Sequence, residues 1–248
     1  AMFQRLTTGE ADLVAISPLA PTAGMYGELG SEWLKIRLRL LCSGSEASMS
    51  WCGIFTRPDT GIKKVADLRG KLWYADQKGT PQWGQLSRGA LKANGMTKSD
   101  VKWLDATTGP DAQKDIIEKR VDAWSYLLGT GSIEMAQTCG LFIVPLTPAE
   151  QAAIAEVNPA YIPAIVKKGD RGANADTPIV ASPTSIWISP KVNEITGYTL
   201  IKSLYDHAEE FQKVHSSTSG FKLKYGMDVW AIPYHPGAIK YFKEVGMW

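Results

Sequence analysis

Leu72-Trp-Tyr-Ala-Asp-Gln-Lys-Gly-Thr80-Pro81, running on through Asn94-Gly95 to Val101-Lys-Trp-Leu104, is the stretch that decides the fold. Leu72 to Ala75 is a short apolar run with strand character. Thr80 then caps a helix. Pro81 takes its first position, where a missing N–H costs nothing, and Asn94-Gly95 stops it. Leu86, Ala90 and Leu91 recur at helical spacing and supply the buried face. Val101 to Leu104 is a second apolar run. A strand, a helix and another strand in this order make a βαβ unit, which calls for a parallel pair.

The same alternation continues downstream. Thr108-Gly109-Pro110 opens a second helix with Ala112, Ile116 and Ile117 inward. Residues 121–128 form a strand ending at Gly129-Thr130-Gly131. A short helix over 133–138 stops near Gly140, and 141–144 is a further strand. Upstream, Pro58-Asp59-Thr60-Gly61 is a turn. Residues 35–42 alternate Ile36, Leu38 and Leu40 against Arg37 and Arg39, and Met49, Trp51, Gly53 and Phe55 repeat that period. These read as two strands with a polar connection. Residues 11–16 read as a buried parallel strand ending at Ser17-Pro18. Residues 166–178 read as a polar return crossing, and 179–188 as a strand interrupted by Pro183. Leu200, Ile201, Leu204, Ala208, Phe211 and Val214 trace one amphipathic helix, and His235-Pro236 begins the last helix.

Composition excludes several classes. The chain has 248 residues, 44% hydrophobic and 21% charged, with 27 basic and 25 acidic side chains and a net charge of +2. No basic block points to nucleic acid. No apolar run of about 18 residues spans a bilayer. No signal peptide is visible, and Ala1 before Met2 makes Met2 the first native residue of this reading. Cys42, Cys52 and Cys139 lack zinc-ligand spacing. Cys42 and Cys52 are either a disulfide across a hairpin or two small buried hydrophobes. His207 and His215, eight apart on one helix, have no partner at metal spacing. No nucleophile elbow, dinucleotide fingerprint or Walker loop is present, so neither a cofactor nor a metal is expected.

Three places suit a ligand. Lys78, Gly79, Thr80 and Pro81 precede a helix, whose first turn offers unpaired N–H groups and positive dipole. Gly79 admits a close ligand, Thr80 adds a hydroxyl and Lys78 a charge, which suits a carboxylate or phosphate. The competing reading is an ordinary cap with a solvated lysine. Ser17 ends the first strand, with Thr22 and Gly24 just beyond, where parallel sheets bind ligands. Ser125, Tyr126, Gly129 and Thr130 lie on a strand and the loop after it. Neighbouring Trp124 reads as core or as a ligand platform, and Thr107 and Thr108 are weaker candidates.

Several segments carry a family resemblance in order: FQRLTTGEADLVAIS from Phe3, GIKKVADLRGKLWYA from Gly61, KRVDAWSYLLGTG from Lys119, VNPAYIP from Val157 and YHPGAIKYFKEVG from Tyr234. Together they resemble the TAXI-type (TRAP-associated extracytoplasmic immunogenic) solute-binding proteins. The family's opening strand and glycine-rich loop have no match, and Asp76-Gln77-Lys78-Gly79 stands where relatives carry a Gly-Ser-rich loop.

The resemblance implies an α/β, two-lobed fold of the periplasmic-binding-protein type, with parallel-rich sheets flanked by helices. Lobe I would take 2–57 and 176–248 and be incomplete; lobe II would take 58–175. It further implies a periplasmic, non-enzymatic protein. Such a protein closes on a small organic acid or amino acid (glutamate, glutamine or 2-oxoglutarate) and delivers it to the membrane components of a TRAP transporter. Lys78 favours an anionic cargo. The alternatives are a binding protein for an ATP-driven importer, or an enzyme on the same fold, for which no acid–base pair presents itself.

Overall fold

The structure, a computed structural model, describes residues 5–6, 8–17, 19, 38–44, 49–170, 173–214, 218, 221–227 and 232–248. In chain order its elements are β1 (Leu13–Ile16), β2 (Arg39–Ser43), β3 (Met49–Thr56), β4 (Leu72–Gln77), α1 (Gln82–Ala93), β5 (Lys102–Ala106), α2 (Gly109–Ile117), β6 (Ala123–Leu127), α3 (Thr130–Cys139) and β7 (Phe142–Val144). They continue with α4 (Pro148–Val157), β8 (Ile162–Val166), β9 (Thr177–Pro183), β10 (Ser185–Ile188), α5 (Glu194–Asp206), α6 (Ala208–Val214) and α7 (Pro236–Glu244). The chain divides into two compact units, one of Ala1–Ser50 with Pro183–Trp248 and one of Trp51–Ser182.

The continuous unit is built on a sheet ordered β5-β4-β6-β3-β9-β8, with β7 also paired to β3. β4 runs parallel to both β5 and β6, as the βαβ pattern demands. β3 is antiparallel to β6 and β7, and β8 and β9 are antiparallel to each other. The sheet is therefore mixed, with the β5-β4-β6 trio parallel. α1 packs on α4 through Gly89, where an added Cβ would lie 2.5 Å from the Ile154 Cα. Thr147 and Glu150 start α4 with a reciprocal capping box, and Glu150 also accepts from Asn94 Nδ2 at 2.7 Å.

Arg57, only 5% exposed, fixes the C-terminal end of α2. Its Nη1 donates to the carbonyls of Ile116 at 2.7 Å and Val121 at 2.6 Å, and its Nε to Asp59 Oδ1 at 3.0 Å. A cation at this end of a helix answers both the dipole and the last carbonyls.

In the discontinuous unit the described strands form a sheet ordered β1-β10-β2, every pair antiparallel. The parallel, buried reading of 11–16 is thereby corrected: β1 lies at an end of this sheet, and Leu13 is 38% exposed. An apolar run fixes strand character but not the direction of its neighbour. Trp187, Leu40, Ile201, Tyr234 and Phe242 fill the core. The helix read across 200–214 is two, α5 and α6, divided at His207. β2 and β3 do not pair as a hairpin; β2 pairs with β10 and β3 with β6. Cys42 and Cys52 are buried and form no disulfide, which resolves them as small core side chains. Burial pushes the Cys42 thiol up to about 12 and raises that of Cys52 as well.

The last helix begins where its sequence indicates. His235 is the N-cap of α7: its Nδ1 accepts from Gly237 N at 3.1 Å, and its Nε2 faces Val192 O at 2.9 Å. The tautomer with hydrogen on Nε2 satisfies both contacts. α5 and α7 cross closely through two glycines. A Cβ on Gly197 would stand 2.3 Å from His235 Nδ1, and one on Gly237 would stand 2.3 Å from Glu194 O and Tyr198 N. Gly237→Ala therefore drives a methyl into backbone, and overpacking of this kind costs about 1–3 kcal/mol. Denaturant unfolding measures the loss; a change below about 0.5 kcal/mol would show that the helices separate freely.

Candidate functional site

The carboxyl ends of the parallel trio β5-β4-β6 gather three strand-to-helix connections. The connection after β4 is tied to β5 by Lys78 N–H donating to Ala106 O at 3.0 Å. Thr108 caps α2, accepting from Asp111 N at 3.2 Å, and Pro110 follows in the first turn. Gly129 is the N-cap of α3 and has no side chain to cap it.

A pocket of about 240 Å³ opens at this end of the sheet. Gly109, Pro110 and Gln113 of α2 form one wall, Trp124, Tyr126 and Leu127 of β6 the floor, and Gly129 and Met135 the other side. Trp124 and Tyr126, two apart on one face of β6, stack with ring centroids 4.3 Å apart. Trp83 of α1 meets Tyr126 at 5.1 Å. Gly109 is required here: a Cβ would come within 2.7 Å of Tyr126 Oη. Trp124 is 3% exposed, and its Nε1 is a buried donor with no hydrogen-bond partner. An unmatched buried donor of this kind costs roughly 1–3 kcal/mol. The pocket thus offers aromatic faces to an apolar group and the Gln113 amide to a polar one.

Of the residues read from sequence, Tyr126 and Gly129 line this pocket together with Trp124. Ser125 faces the other side of β6, buried, with its Oγ 2.8 Å from Ser87 Oγ, which in turn donates to Ala75 O at 2.6 Å. Lys78, Gly79, Thr80 and Pro81 form the turn into α1 and do not line the pocket. Gly79 takes φ +75°, and Thr80 Oγ1 donates to Gln77 O at 3.1 Å. Ser17 follows β1 in the other unit and accepts from Leu19 N at 3.4 Å. Thr22, with Pro18, Gly24 and His215, lies outside the described residues, as does the Thr130 side chain. Gly109, Pro110, Gln113 and Met135 were not foreseen. Gly109-Pro110 beside a capping threonine was the available signal, read there only as a helix start.

The first turn of α1 holds a carboxylate from the chain itself. Asp76 Oδ1 accepts from Gln77 N at 2.8 Å and Gly84 N at 3.1 Å. Gly84 makes room for it, since a Cβ would lie 2.1 Å from Asp76 Oδ2. Burial raises the Asp76 carboxyl above its usual range, and Asp105, its register partner on β5, adds to the rise. A raised folded pKa means that the folded state holds the proton more tightly than the unfolded chain. The Asp76 contribution is therefore complete below the ordinary carboxylate value of about 3.9 and fades as pH climbs through the raised folded value. Asp76→Asn keeps an acceptor for Gly84 N and removes that loss. Its melting temperature relative to wild type should rise from pH 4 to pH 7; a difference that stays flat with pH would refute the account.

No helix among the described residues is long and apolar enough to cross a membrane. Comparison with solved structures places the fold. The chain matches the periplasmic aliphatic sulphonate-binding protein SsuA of Escherichia coli with a TM-score of 0.52 and 17% identity. The match covers 98% of this chain and 65% of that one, so the chain spans about two thirds of that protein's length. The periplasmic sulfonate-binding protein SsuA of Methylobacillus flagellatus KT gives a TM-score of 0.51 at 14% identity, over 100% of this chain and 72% of that one. At such identities the likeness establishes the α/β fold of periplasmic binding proteins and no more.

Family membership rests on sequence and corrects the TAXI resemblance. Segments such as the strand after DLRGK and the helix after His235-Pro236 answer to the architecture of these proteins at large, so they could not single out one branch. What matches along almost the whole chain, over residues 4–246, is a different pattern, and by it this chain belongs to the NMT1-like family.

Proposed function

We propose that this protein is an extracytoplasmic solute-binding protein that captures a small organic anion and hands it to an ABC-type importer. The observation that carries the reading is the pocket at the carboxyl end of β6, lined by the stacked rings of Trp124 and Tyr126 and by the first turn of α2. Ligands of open α/β sheets bind outside the carboxyl ends of the strands. A sulfonate or carboxylate oxygen would accept from the Gln113 amide, and a short carbon chain would lie on the Trp124–Tyr126 stack. The two sulfonate-binding proteins support this cargo class, their periplasmic setting supports the location, and the sulfonate ABC transporter to which the Methylobacillus protein is ascribed supports an ABC partner in place of a TRAP one.

Among the pocket's lining residues are glycines, rings and an amide, and no carboxylate, histidine or lysine. That composition suits capture rather than catalysis. Lys78 and the turn 79–81 enter the proposal as a charged neighbour of the pocket, with Asp76 already on the α1 N–H groups. Calorimetric titration with methanesulfonate, taurine, acetate, glutamate and longer alkanesulfonates tests it. One-to-one binding of at least one oxyanion, with a melting temperature that climbs with its concentration, is the expected result. Silence across the whole panel would overturn it.

A further inference from the structure

We propose that Tyr126 is the specificity-determining residue of the Trp124 pocket, its hydroxyl donating to the oxyanion of the cargo; this rests on the reading of that pocket as the solute site. Tyr126 packs against two rings, stacked on Trp124 at an interplanar angle of 17° and tilted against Trp83 at 5.1 Å. Its polar tip lies against the first turn of α2, where a Cβ on Gly109 would stand 2.7 Å from the hydroxyl oxygen and 3.0 Å from Cζ. Gly109 and Tyr126 both line the pocket, so the hydroxyl sits at its α2 wall. Rings beside the phenol and backbone at its tip fix it before any ligand arrives, which spares part of the ordering cost of binding.

The hydroxyl has no task within the described chain. The other two tyrosines of the continuous unit have theirs engaged: Tyr74 Oη donates to Asp115 Oδ2 at 2.7 Å, and Tyr161 Oη donates to Gln82 O at 2.8 Å. Tyr126 Oη makes no hydrogen bond among the described residues. Tyr126 is half-buried, and its oxygen is not one of the unmatched polar atoms sealed from solvent, so a solute in the pocket can reach it. Of the other lining side chains, Gln113 adds an amide and none carries a charge. With no cation on the lining to attract every anion alike, discrimination falls to donors of fixed direction. A site that hydrogen-bonds a polar atom rejects analogues lacking that atom far better than an apolar slot rejects a changed methyl. A phenol donating to an oxyanion makes a charge-assisted bond, about twice as strong as a neutral one.

Tyr126→Phe keeps the ring and deletes only the donor. Wild type, Tyr126→Phe and Gly129→Val are titrated by calorimetry with methanesulfonate, taurine, acetate and glutamate. In Tyr126→Phe the tightest-bound of these should lose about tenfold to a hundredfold in affinity, the size of one hydrogen bond to a charged group. The ligand-free melting temperature should stay at the wild-type value, because no internal hydrogen bond is broken. Affinity within about twofold of wild type, in a protein whose binding Gly129→Val still abolishes, would overturn this role for Tyr126 and leave the pocket as the solute site. A lower ligand-free melting temperature in Tyr126→Phe would overturn it too, since the hydroxyl would then be serving the fold. Wild-type silence, or binding that Gly129→Val leaves intact, would instead remove the pocket reading on which the role rests.

Discussion

Gly129→Val abolishes binding of the small oxyanion while the protein stays folded. Gly129 sits at φ −117°, ψ −170°, extended backbone that a β-branched residue adopts readily. A Cβ placed there meets nothing within 4 Å, so the new side chain occupies open space. That space is the side of the Trp124 pocket. An isopropyl group there takes up part of a pocket of only about 240 Å³ and narrows the room left for a solute. Affinity should fall about a hundredfold or more, equivalent to roughly 2.7 kcal/mol or more. Valine is a poor N-cap for α3, which costs about 1 kcal/mol of stability and leaves the fold in place. Gly129→Ser, a good cap with a smaller side chain, should bind with intermediate affinity. Calorimetry read beside the melting temperature distinguishes a filled pocket from an unfolded protein. Wild-type affinity in the valine variant would remove this pocket as the ligand site.

The largest loss of stability should come from Arg57→Met. Methionine fills much of the same volume and carries no donor. The carbonyls of Ile116 and Val121 are then left in a buried place without their charged partner. Each such loss costs about 1–3 kcal/mol, so the pair comes to roughly 2–6 kcal/mol. Urea unfolding followed by tryptophan fluorescence measures it. Arg57→Lys supplies charge but not the guanidinium fork and should recover only part of the loss. A deficit below about 1 kcal/mol in the methionine variant would mean that water reaches those carbonyls.

Local physics made much of the fold readable. Asn94-Gly95 closed α1, Thr108-Gly109-Pro110 opened α2, and His235-Pro236 opened α7, because cap chemistry is written in neighbouring residues; the cap expected of Thr80 is not made, since Pro81 stands at the N-cap of α1 and Thr80 Oγ1 donates to Gln77 O. Partner choice is not. The alternation over 35–42 and 49–55 showed two strands, yet nothing in those residues says that β2 seeks β10 and β3 seeks β6. The pairing depends on residues far along the chain. His207 divides α5 from α6 within a pattern that stays apolar at helical spacing, so periodicity ran through the break. The α4 capping box at Thr147-Pro148-Ala149-Glu150 was legible by the same rules and went unread.

The pocket was half visible. Tyr126 and Gly129 followed from their place at the end of a strand before a helix. Trp124 could be read as core or platform, and in the structure it is both, buried yet part of the pocket floor. Lys78 drew attention as a charge beside a helix start. What sequence could not show was that Asp76 folds back onto Gly84 N, because that contact depends on the exact course of the turn between them.

The chain leaves the discontinuous unit once, at Ser50, and returns once, at Ser182. The excursion begins within β3 and finishes within β9, which are neighbours in one sheet. Residues 51–182 therefore form a self-contained cassette whose severed ends would lie on two neighbouring strands. Such a module lends itself to being lifted out whole, sealed with a few linking residues, or grafted into a host protein.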